Sequence, residues 1–166
     1  FLQDKNVEID SSSYFDLYKL ALLLDVTRFN KIFHKFEKNN SDDVSFLINL
    51  LLNAKTIEKI DETYDDNKIN EAETKLSSQI NLCIQNDEFN KLPFLTIKKI
   101  IEKSDKNLID SNYLLQFIMK SIEDRHLLLP LIKIEQLSGE NISKITDILQ
   151  EEEEDSPIQE YFKDFE

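Results

Sequence analysis

A chain of 166 residues can bury roughly 70% of the surface its unfolded form exposes, so one cooperative core or two small packed lobes are within reach. With 33 acidic residues against 20 basic ones and a net charge of −13 at pH 7, it lacks the lysine and arginine excess that drives binding to phosphate backbones by counterion release, and no nucleic-acid partner is expected. One glycine, three prolines and one cysteine exclude a glycine-rich phosphate loop, an intrachain disulfide and a turn-rich β architecture.

Extended backbone is expected only at Val7 to Ile9, as an edge or orphan strand, before a serine-rich helix cap. Tyr14, Leu17, Tyr18, Ala21 and Leu24 then recur at helical spacing, and Phe29, Ile32, Phe33 and Phe36 follow on a second helix. A boundary is read at Asn39-Asn40. Ser41 is expected to cap the next helix, with Asp42 and Asp43 against its positive end and Val44, Leu47, Ile48, Leu51 and Ala54 as its apolar stripe. Between Glu58 and Glu71 the rhythm breaks. Asp61, Thr63, Asp65 and Asn67 alternate as calcium ligands do, but Asp66 holds the glycine position and Ala72 the final glutamate position, so a solvated linker is expected.

Ala72, Leu76, Ile80, Cys83 and Ile84 form one helical face, and Ile97, Ile100 and Ile101 another. Pro93 lies between them. It cannot continue a helix, suits the first turn of a new one and pushes Leu92 out of the α region, which predicts a corner with Phe89, Leu92, Ile97 and Ile101 inside. Leu114, Phe117, Ile118 and Ile122 form a further stripe, and Ser138 is placed to cap the last helix with Leu137 and Ile142 as a hydrophobic staple.

The helix ending Phe89-Asn90-Lys91-Leu92-Pro93, the helix ending Ile100-Ile101-Glu102-Lys103-Ser104 and the opening Asn107-Leu108-Ile109-Asp110 together resemble a BACK domain. The leucine-rich turn at Leu127 to Leu131, with Ile132 to Ser138 after it, resembles a later BACK segment. Asn6 to Ile9, Tyr14 to Val26 and the Phe29 to Phe36 helix look like the end of a BTB domain. The resemblance implies an all-α array of antiparallel helix pairs over residues 40–149, preceded by a BTB remnant over 1–39. It also implies a noncatalytic adaptor with protein partners, including cullin-3 or a second copy through the BTB part, although the BTB strands and first helices that build those surfaces are missing. The alternative is an architectural spacer or solenoid module of a larger protein.

The residues offer little chemistry. Cys83 lies on the stripe with Leu76 and Ile80 and reads as a core thiol, His34 and His126 sit in no motif, and one cysteine with two histidines makes no zinc set. No catalytic, cofactor or metal residues are expected. No run approaches the roughly 18 apolar residues of a membrane span, and Phe1 to Asp4 lacks signal-peptide architecture, so a cytoplasmic location is expected with the nucleus left open. The single methionine, Met119, and a start at Phe1 make this an expected piece of a longer chain. Residues 150–166 form an acidic tail in which, from Glu151 on, eight acids face one base, Lys163. There Ile158, Tyr161, Phe162 and Phe165 fall at i, i+3, i+4 and i+7. The favoured reading lays this face on the domain core as a final helix; the other makes these four the partner-binding residues, folding onto a basic, apolar groove.

Overall fold

Asp10 is the residue that starts the regular structure. Its carboxylate accepts the Ser13 amide at 2.7 Å and the Ser13 hydroxyl closes the reciprocal bond, so the cap is Asp10 and the expected serine-rich cap already belongs to the helix. A computed structural model describes residues 9–61, 66–151 and Tyr161. Among these the elements are α1 (Ser11–Leu23), α2 (Asn30–Asn39), α3 (Val44–Glu58), α4 (Asp66–Ser78), α5 (Ile80–Gln85), α6 (Phe94–Lys103), α7 (Ser111–Met119), α8 (Ile122–Arg125) and α9 (Gly139–Glu151), with 3₁₀ turns between several of them. The described residues contain no strand. Ile9 is irregular, and the rest of the segment expected to be extended lies outside the described residues.

The chain divides into two compact units, residues 1–76 and 77–166, and the division falls inside α4. The boundary read at Asn39-Asn40 lies within the first unit. There Tyr14 of α1 stacks on Phe36 of α2 at 4.9 Å and meets Phe46 of α3 edge-on at 5.5 Å. Phe15, Tyr18 and Phe33 complete the ring cluster. The Tyr14 hydroxyl leaves this apolar setting by donating to Glu37 Oε1 at 2.8 Å, and Lys68 reaches the same oxygen at 3.3 Å.

Three expectations for this unit need correction. Asp43, not Ser41, caps α3, accepting the Phe46 amide at 2.6 Å, because the Asp43 amide donates to the Asn40 carbonyl in a turn that includes Ser41 and Asp42. The α1 stripe is buried only at its start. Tyr14 and Phe15 are inside, whereas Leu17 and Leu24 are exposed, the latter 63%. On α3, Leu47, Ile48 and Ala54 are buried as expected, but Phe46, Leu50 and Ile57 join them and Leu51 is half-buried.

α1 ends in a Schellman arrangement. The Val26 amide donates to the Ala21 carbonyl at 2.9 Å and the Asp25 amide to Leu22 at 3.2 Å, with Asp25 left-handed at φ 51°.

In the second unit the face from Ile80 to Ile84 is buried, together with Ala72 and Leu76 in the first, but it is not one helix. Gln79, at φ −119° and ψ 29°, interrupts the ladder between α4 and α5. Likewise α5 stops at Gln85, and Phe89 rides on a 3₁₀ turn, Asp87–Lys91, instead of a helix end. The corner itself is as expected. Leu92 is extended at φ −66° and ψ 147°, Pro93 stands at the N-cap position of α6, just before its first turn and without a side-chain cap, and Phe89, Leu92, Ile97, Ile100 and Ile101 are buried. Asn81 then fixes the loop before α7, donating to the Leu108 carbonyl at 2.7 Å and accepting the Asp110 amide at 2.9 Å. Asp110 caps α7 by accepting the Asn112 amide at 2.8 Å. Leu114, Phe117 and Ile118 are buried with it, but the helix ends at Met119 and Ile122 opens α8.

Candidate functional site

α7 is apolar over more than the expected stripe, because Leu115 and Met119 extend its face sideways. That extra face and one side of α9 line a groove of about 440 Å³. Its apolar floor is Leu115 and Ile145, both buried, and the half-buried Met119. Gln116, Lys120, Lys144 and Asp147 stand at its edges, and Asn141 closes one end.

A polar clasp sets the spacing of the two helices. The Asn112 side-chain carbonyl accepts from the Ser138 amide and from Asn141 Nδ2, both at 2.8 Å, while Asn112 Nδ2 donates to the Gln136 carbonyl at 3.1 Å. Asn141 is 2% exposed, so its paired amide is a buried and satisfied group. The Ser111 hydroxyl adds two bonds, accepting the Lys133 amide at 3.0 Å and donating to Gln136 Oε1 at 3.3 Å. Ser138 caps α9 as expected, accepting the Asn141 amide at 3.3 Å. Of the pair expected to form the staple, Leu137 is buried and Ile142 is 45% exposed.

Arg125 locks the other side of α7. Its Nη1 donates to the Phe117 carbonyl at 2.6 Å and its guanidinium lies 4.0 Å from the centre of the Phe117 ring. Burial lowers its pKa, against a smaller opposing effect of Asp124. The rim lysines are held loosely. Lys120 pairs with the exposed Asp87 at 3.1 Å and Lys144 with the exposed Glu140 at 2.7 Å; the latter bond holds the Glu140 carboxyl below its ordinary value.

Of the four tail residues expected to bind a partner, Ile158, Phe162 and Phe165 lie outside the described residues. Tyr161 is helical and half-buried, and burial raises its phenol pKa. Cys83 is fully buried, its thiol pushed up to about 12 by desolvation, while His34 is exposed and the His126 ring meets the Glu123 carbonyl at 2.8 Å. Among the described residues no three His, Cys, Asp or Glu side chains group to hold a metal ion, and no helix is long and apolar enough to cross a membrane. The α7–α9 groove went unread in the sequence because its walls are more than twenty residues apart; the one available signal was the apolar pair Leu115 and Met119 beside the main stripe.

No family model, no curated protein and no solved structure matches this chain.

Proposed function

We propose that this chain is a noncatalytic protein-interaction scaffold whose α7–α9 groove receives an amphipathic helix of a protein partner. The observation that carries the reading is the groove itself: an apolar floor of Leu115, Met119 and Ile145 with lysines at the rim suits a helix with an apolar face and acidic flanks. The order of helices, the corner at Pro93 and the leucine-rich turn are compatible with a BACK-like array after the end of a BTB domain, and so with a cytoplasmic adaptor of the cullin-3 ubiquitin-ligase type.

The test is comparative. The full-length protein and a Met119→Lys, Ile145→Lys variant are immobilised, what each retains is quantified by mass spectrometry, and the protein lost from the variant is titrated in purified form. A partner bound at about micromolar affinity and lost from the folded variant supports the scaffold. Identical partner sets overturn the groove reading, and purified cullin-3 failing to bind the full-length protein removes the ligase role.

A second reading, an architectural spacer, is favoured by one feature: in each unit the main helix contacts are with near neighbours in sequence, α1 on α3 and α5 on α7, as in stacked helical modules.

A further inference from the structure

We propose that the outer face of α2 is a docking surface in its own right and takes an acidic helix of a protein partner, through the row Arg28, Lys31, Lys35 and Lys38. The inference goes beyond the α7–α9 groove and does not depend on it.

Packing sets the row. Phe33 and Phe36 turn toward Tyr14 of α1 and Phe46 of α3, which leaves the opposite side of α2 to Lys31, Lys35 and Lys38 at i, i+4 and i+7. Arg28 continues the line one turn earlier, on the 3₁₀ turn Thr27–Phe29, with its guanidinium 5.2 Å from the centre of the Phe29 ring. All four are exposed.

Nothing described balances them. From Val26 to Asn40 the only acid is Glu37, in a chain whose net charge is −13. Glu37 is engaged elsewhere, accepting the Tyr14 hydroxyl at 2.8 Å and pairing with Lys68 at 3.3 Å. Among the described residues none of the four cations meets a carboxylate, whereas Lys19, Lys68 and Lys75 in the same unit each reach one within 3.3 Å. Like charges three and four residues apart destabilise a helix, so the row carries a cost that an acidic partner would turn into a gain.

Reach and spacing choose the occupant. Attraction between exposed charges fades over about 8 Å at physiological ionic strength, and Lys31 to Lys38 rise about 10 Å along α2. A partner one helix wide therefore feels the row, whereas a duplex or an anionic membrane must also approach a chain of −13. A second copy offering the same face would set cation against cation. The spacing of three, four and three residues reads the same in both directions, so a helix with carboxylates at i, i+3, i+7 and i+10 fits whichever way it runs. Ile32, 48% exposed and three residues before Lys35, adds an apolar contact beside the row, and the lysine stems add more.

The probe is a synthetic helical peptide of about 18 residues, five turns, with glutamates at those positions and leucines beside them, titrated into the whole ¹⁵N-labelled protein. Amide shifts are expected in α2 and the turn before it, and binding should weaken as salt is raised. Lys31→Glu, Lys35→Glu, Lys38→Glu together should weaken it by about tenfold or more. Lys35→Gln alone should weaken it by about two- to fivefold, which keeps the test valid if the triple variant does not fold. No shift in α2, or equal binding by a peptide of the same composition with its glutamates spread around the helix, overturns the proposal. So does tighter binding to phosphatidylserine–phosphatidylcholine vesicles or to duplex DNA than to the peptide, or an α2 shift that follows protein concentration without peptide, the mark of a second copy. Shifts in α7 and α9 in place of α2 also overturn it while supporting the groove, and α2 shifts that persist in the Met119→Lys, Ile145→Lys variant support it whatever becomes of the groove.

Discussion

The two units solve the same packing problem with different materials. In the first, Tyr14 meets five other rings within 6 Å, so α1, α2 and α3 are held by one aromatic hub. Among the described residues of the second, the ring pair Phe89 and Phe117, at 5.7 Å, sits in a core of isoleucine and leucine. Ring pairs prefer particular orientations, worth about 0.5–1.5 kcal/mol each beyond area burial, so the hub specifies its own geometry. Aliphatic side chains impose less direction. The second unit adds it through satisfied buried polar groups: Arg125 on the Phe117 carbonyl, Ser104 on the Ile100 carbonyl and the Asn112–Asn141 clasp.

The largest effects should come from the rings. Tyr14→Ala and Phe89→Ala should each cost about 3–5 kcal/mol, the usual range for deleting a buried aromatic. Chemical denaturation read by amide exchange, α1 to α3 for the first and α5 to α7 for the second, measures both. If Tyr14→Ala proves the milder, the hub is not what holds the first unit. Tyr14→Phe isolates the Glu37 hydrogen bond and should cost only about 1 kcal/mol.

Next comes the polar direction of the second unit. Arg125→Met keeps much of the bulk but leaves the Phe117 carbonyl without its donor, at a cost of about 1–3 kcal/mol. Arg125→Lys should not rescue it, because an ammonium lacks the planar guanidinium that lies over the ring. A melt unchanged in either variant removes Arg125 from the argument.

Alkali should act through different groups in the two units. Burial raises the Cys83 thiol from an ordinary 9.0 to about 12 in the folded chain, so the unfolded chain loses its proton first. This contribution is fully present below pH 9 and is lost as pH rises toward 12, with a slope of about 1.4 kcal/mol per pH unit. Cys83→Ala should flatten that limb. The first unit's counterpart is Tyr18, raised by burial and then by Glu37 and Asp61, and it should keep its share in that variant. Native Cys83 should also react slowly with a thiol reagent and quickly after unfolding; rapid native labelling would show an open core.

The smallest test concerns the α3 cap. Asp43→Ala should cost about 1 kcal/mol, while Ser41→Ala should stay within about 0.5 kcal/mol, as surface changes do. The opposite ranking in thermal melts would return the cap to Ser41.

How far the sequence could be read depended on whether a signal was local. Pro93 acts on its immediate neighbours, so the corner and the burial of Phe89, Leu92 and Ile97 followed from spacing alone. Periodicity also placed Cys83 inside. By contrast, Ser41, Asp42 and Asp43 are all competent caps, and the turn from Asn40 chooses among them. Apolar spacing on α1 could not tell that its far end lacks cover, because that depends on what packs there. No proline or glycine marks the interruption at Gln79, and the groove needs α7 and α9 brought together by the Asn112 clasp.

Asp25 leads back to the coding of the chain. The one left-handed residue among those described is an aspartate, whereas the lone glycine, Gly139, opens α9 with nothing near the place its side chain would occupy. Left-handed backbone favours glycine and a helix favours alanine, so glycine stands where it is not needed and is missing where it would help. The excess of isoleucine, asparagine and lysine fits a gene short of the GC-rich codons that encode glycine. Holding an aspartate in this left-handed conformation is a small conformational strain in the protein. Asp25→Gly with Gly139→Ala should recover about 0.5–1 kcal/mol without touching a functional surface.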